Sequence, residues 1–150
     1  MDLSLLLHVL GVVVWVGGMF FAYMVLRPIA ADVLEPPARL TLWTGVFGKF
    51  FPWVWASVAL ILLTGLHMLM KVGGMGAAHY VMAMLALGVV MMLIFAHVFF
   101  APYKKLRRAV AEQNWEAGGA ALAQIRMLIG INLSLGLLTI VVVFLGRALG

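Results

Sequence analysis

Four uninterrupted apolar runs leave this chain few ways to fold. They cover roughly residues 3–26, 51–70, 78–100 and 127–147, and each can cross a hydrocarbon core of about 30 Å as a helix. The runs are continuous rather than alternating, which argues against a closed barrel. Within lipid every backbone amide must find its partner inside the chain, and helices do this without an edge. The expected fold is therefore all-α and integral to a membrane, an up-down bundle of four transmembrane helices. At 66% hydrophobic and 10% charged residues, the composition lies far from that of a soluble domain. Residues 1–150 are read as one four-helix membrane domain, with no room for a separate soluble one. The first run lacks a basic leader and is about twice as long as a signal core, so it is read as a retained helix.

Charge sets the expected orientation. Arg27, Arg39 and Lys49 lie between the first two spans, and Lys104, Lys105, Arg107, Arg108 and Arg126 between the last two; only Lys71 and Arg147 fall on the other side. Basic loops stay in the cytoplasm, which puts both termini and the 71–78 turn on the periplasmic face of a bacterial inner membrane. The net charge of +5 then reports topology and contact with membrane lipid. No nucleic-acid-binding module is visible. The chain has no cysteine, so thiolate zinc sites and covalently attached haem are excluded.

Local signals refine the helix ends. Glu35-Pro36-Pro37 is a helix start, so the second helix is expected to begin well before the membrane and to kink at Pro52. Pro102 should bend the end of the third, leaving YKKLRRAVAEQ as a basic amphipathic extension, and Asn114 is placed to cap the helix that leads into the fourth span. Helical cytoplasmic extensions thus form a collar on the bundle.

All four histidines lie in or at the ends of spans, where polar groups are costly unless paired or coordinated. His8, His67 and His79 converge near one depth at the outer end. His97 is five turns beyond His79, about 27 Å away, and is expected to be dispensable for an outer cofactor. His8, Gly11, Trp15 and Gly18 follow one another at spacings of three, four and three, which places them on one helix face. Such a stripe of small residues with one aromatic either allows close helix packing or, with an imidazole at its end, forms a slot for a flat porphyrin. The second helix offers Trp53, Ser57, Leu60, Thr64 and His67 on a common face. Asn132, Gly136 and Thr139 share a face of the fourth, suited to hydrogen bonds between helices.

Met68, Met70 and Met75 cluster around the outer turn, and thioethers with imidazoles suit copper. Met68 and Met70 point about 160° apart on a helix, so a copper site needs the Gly73-Gly74 turn to fold back. The acids Asp2, Asp32, Glu35, Glu112 and Glu116 all lie outside the core. No nucleophile–base pair, phosphate loop or buried carboxylate pair is present, so hydrolysis and carboxylate-based proton pumping are not expected, and whether the chain is an enzyme stays open.

The segments HVLGVVVWVGGMFFAYMVLRP, FFPWVWA, HVFFAPYKKLRRAV and QIRMLIGINL resemble the CopD-like family of small bacterial membrane proteins over nearly the whole chain. That resemblance implies a multi-pass inner-membrane protein associated with copper. A more distant resemblance is to the HemJ-type protoporphyrinogen oxidases, four-helix proteins that bind haem b. His8, Trp15 and Gly17 match their first-helix pattern and His79 their third-helix histidine, but Val81 stands where that pattern has a basic residue. The resemblance implies His8 and His79 as axial ligands; His67 lies outside the shared pattern but at the same depth, and competes for either place.

The leading expectation is a haem b protein that passes single electrons, a membrane oxidoreductase-like module with a bis-histidine haem near the periplasmic face. Its propionates would turn toward Lys71 or Arg147, the basic residues on that side. The redox partner, a protein or quinone, is not named by the sequence, and a homodimer is compatible with so small a bundle. The first alternative is a copper transport or tolerance protein using the same outer His and Met side chains. The second is HemJ-like porphyrinogen oxidation.

Overall fold

The computed structural model describes residues 3–74 and 78–149, and every regular element among them is helical. Helix α1 runs from Leu3 to Val33, α2 from Pro36 to Lys71 and α5 from Trp115 to Leu149. Between α2 and α5 lie α3 (His79–Phe100) and the shorter α4 (Pro102–Ala111). By length and composition four helical stretches can cross a membrane, with α3 and α4 together forming the third.

The expected boundaries follow from local chemistry. Glu35 in an extended conformation precedes Pro36 and Pro37 at the start of α2, where missing proline N–H groups cost nothing. Pro52 lies inside α2. Before Pro102 the chain breaks at Ala101. Asn114 caps α5 by accepting a hydrogen bond from the Ala117 N–H at 3.2 Å. One feature was not expected: α1 does not stop at residue 26 but passes through a π-helical stretch, Phe21–Leu26, into Arg27–Val33. The cause is Pro28, which lacks an N–H and whose ring opposes the carbonyl four residues back; widening the preceding turns lets the helix continue.

The helices form two antiparallel pairs, α1 with α2 and α3 with α5, while α4 folds back along α5 and touches α2. α2 and α3 are neighbours in sequence yet meet only slightly. Small residues set the approach, as lipid supplies no hydrophobic drive between helices. A Cβ on Gly11 would come within 2.9 Å of Ile61, and one on Gly136 within 3.0 Å of Val16. Asn132 donates from Nδ2 to the Met91 carbonyl at 3.1 Å, tying α5 to α3.

Packing is uneven along the bundle. The basic end, nearest the α1–α2 and α4–α5 connections, holds an aromatic seam in which Phe47 stacks on Phe51 at 4.9 Å. Phe51 meets Phe95 edge-on at 5.3 Å and Tyr103 at 5.0 Å, each such pair contributing about 0.5–1.5 kcal/mol beyond area burial. Helix α4 buries Tyr103, Leu106 and Ala109 and turns its lysines and arginines outward. At the histidine end, where α1 begins and α5 finishes, the picture reverses. Among residues 3–14, 58–71, 79–90 and 137–149, only Gly11 and Thr64 are buried.

Candidate functional site

His8 sits half-buried in the second turn of α1, facing α2. Its Nδ1 lies 3.0 Å from the Thr64 hydroxyl, which in turn donates to the Leu60 carbonyl at 2.6 Å. A hydroxyl has one proton, and here the backbone takes it. With its proton on the backbone, Thr64 accepts from His8, the arrangement in which the ring carries its proton on Nδ1. The Ile61 carbonyl lies 3.4 Å from the same hydroxyl. Nε2 keeps its lone pair. A ring held through one nitrogen with the other basic is how proteins present imidazole to a metal. Gly65 makes room for it: a Cβ there would stand 3.3 Å from His8 Cε1.

The other candidates share this end of the bundle but not this pocket. His67, in the last turns of α2, and His79, the first residue of α3, are both exposed. Met70 is 79% exposed whereas Met68 is partly buried, which agrees with their opposed directions on the helix. Met75 and Asp2 fall outside the described residues. The turn between α2 and α3 passes through left-handed backbone at Gly73 and Gly74, with φ of 103° and 64°. Lys71 and Arg147 lie in the last turns of α2 and α5. Among the described residues no group of three His, Cys, Asp or Glu side chains is close enough to hold one metal ion. His97 is exposed near the basic end, in the last turn of α3, and Asp32, Glu35, Glu112 and Glu116 are exposed as expected.

The stripe beside His8 is closed by α2. Ile61 covers Gly11, Phe50 fills the space at Gly18, and Trp15, only 3% exposed, points into the aromatic core with Phe95 at 6.3 Å. A porphyrin laid along the stripe would have to displace these side chains, so a macrocycle held by His8 needs the Nε2 side instead. The common face expected on α2 also divides: Ser57 and Thr64 are buried, while Trp53 is 66% exposed and His67 is exposed. Fourteen residues of straight helix fall about 40° short of four full turns, enough to carry the ends of that row off the contact line. Thr64 is the functional residue whose role the sequence concealed, since its partner lies 56 positions away.

Among protein-family models, the one described as CopD, copper resistance protein D, matches residues 44–145. The match takes in His67, His79 and His97 and leaves α1, with His8, outside. No curated protein and no solved structure matches.

Proposed function

Since the chain belongs to the CopD family of copper resistance proteins, multi-pass proteins of the bacterial inner membrane, we propose that it handles copper at its histidine end. His8 is the anchored ligand there. The observation that carries this reading is the Thr64–His8 hydrogen bond, which supplies an oriented imidazole with a free Nε2 inside an apolar surround. Copper is cargo in this account, and Met68, partly buried at the same end of α2, is a soft donor of the kind that suits it. With both termini facing the periplasm, as the basic loops favour, the loosely packed end would meet copper arriving from outside the membrane.

The test is copper stoichiometry on detergent-purified protein. His8→Ala should lose bound copper, and Thr64→Val, which removes the acceptor but keeps the shape, should weaken binding about tenfold. Copper content unchanged in His8→Ala would overturn the assignment.

A second reading rests on the same oriented His8 imidazole, which suits an axial haem ligand as well as a copper ligand. In it a haem b would be held by His8 and His79, with His67 as the competing ligand and the propionates toward Lys71 and Arg147, and the redox partner would be a quinone or a protein. The bound haem would supply the redox chemistry, while the chain fixes the ligand tautomer and excludes water. A low-spin b-type signal in the reduced-minus-oxidised spectrum, lost in His8→Ala and His79→Ala, is the expected result. Colourless protein would reject it.

A further inference from the structure

At the opposite end from His8, α1, α2 and α5 line an open cavity of about 290 Å³. Three arginines line it, one from each helix: Arg27, Arg39 and Arg126. No acid is among its lining residues. The remaining wall is apolar and aromatic, with Tyr23, Trp43 and Trp115 at its border. Arg27 is held in place, its Nε donating to the Tyr23 carbonyl at 3.1 Å and its guanidinium lying 4.5 Å over the Tyr23 ring. Arg39 is in the opposite condition. Its Nε is buried and has no hydrogen-bond partner, a state that costs free energy unless something else accepts the proton.

Three like charges from three helices, one of them with an orphaned buried donor, form a receptor for an anion. The planar fork of a guanidinium matches a phosphate oxygen pair. Depth identifies the source of that phosphate. Arg27 directly follows the apolar run 3–26 and Arg126 directly precedes the run 127–147, so the cavity lies where the hydrocarbon ends and headgroups begin. Basic pockets between membrane helices on this side hold anionic headgroups, and the aromatic residues are those that favour the interface. We propose that the cavity binds the phosphodiester headgroup of an anionic glycerophospholipid, with Arg27, Arg39 and Arg126 around the phosphate and the acyl chains leaving along the apolar wall.

The proposal is independent of what the histidine end binds. It is tested by native mass spectrometry of the full chain, released from detergent micelles doped with phosphatidylglycerol or phosphatidylcholine, or exposed to inorganic phosphate. The wild-type chain should retain one phosphatidylglycerol at a concentration about tenfold below that needed for phosphatidylcholine. The double variant Arg39→Gln/Arg126→Gln should lose that preference, and Arg108→Gln, on the outer face of α4, should keep it. Gly119→Leu guards against misfolding as the cause. Gly119 lines the cavity and a Cβ there meets nothing within 4 Å, so leucine fills the space while every arginine remains, and it too should abolish retention. Equal retention of the two lipids, or phosphatidylglycerol retention unaffected by Gly119→Leu, would overturn the proposal. Saturation by inorganic phosphate at the same concentration would overturn the lipid as its source.

Discussion

One proton on Thr64 decides what His8 can do. With that proton committed to the Leu60 carbonyl, the imidazole is fixed as donor at Nδ1 and acceptor at Nε2, without any charged neighbour. Thr64→Ser should preserve this state and Thr64→Val should lose it, so copper affinity in the serine variant is expected to stay within about threefold of wild type while the valine variant falls about tenfold. A second residue carries an avoidable cost. Gln113 adopts φ of 56° in the turn after α4, where the Asn114 N–H bonds the Ala109 carbonyl at 2.8 Å and the Gln113 N–H bonds the Val110 carbonyl at 3.1 Å. This closing motif favours glycine at the left-handed position. Gln113→Gly should raise stability by about 0.5–1 kcal/mol, read as a higher melting temperature in detergent; a fall would mean that the glutamine side chain contributes more than its backbone costs.

Between helices, the glycines separate into two kinds. A Cβ on Gly18 would strike the far edge of the Phe50 ring, whereas one on Gly146 would strike the Cβ of Tyr80 itself. Rings can rotate aside; a Cβ cannot move without its helix. Gly146→Ala is therefore expected to cost about 1–3 kcal/mol and to resist rescue by Tyr80→Ala, which keeps the offending atom, while any loss in Gly18→Ala should be restored by Phe50→Ala. Denaturant unfolding of the four variants checks this, and rescue by Tyr80→Ala would refute it. The same distinction shows what the sequence could reveal. Helix starts at Pro36 and Asn114 and the break before Pro102 were legible because a cap or a missing N–H acts within a few residues. The π-helical passage before Pro28 was not, because a proline inside a helix can equally kink it, end it or widen it. The spacing of His8, Gly11, Trp15 and Gly18 points to one face, but a sequence cannot tell a groove from a groove already filled by Ile61 and Phe50. The Thr64–His8 pair was hidden for a related reason, since it depends on how α1 and α2 are rotated about their axes.

For the molecule as a whole, eight of ten basic residues lie toward one end, and the absence of cysteine makes the expected orientation directly measurable. Lys71→Cys should react with a membrane-impermeant maleimide in intact periplasm-exposed cells, and Arg108→Cys only after lysis; the reverse pattern would invert the bundle and place the histidine end in the cytoplasm. The two ends also differ in how they are joined. Where the first hairpin meets the rest, α5 supplies the glycine at three close approaches: Gly136 receives Val16, Gly130 receives Tyr23, and Gly118 receives Leu40. This arrangement has a consequence for assembly during synthesis. α1 and α2 can pair as soon as they leave the translocon, but every one of those three seats is made of residues that emerge later. The first hairpin gains these three seats only when α5, translated after α3 and α4, arrives.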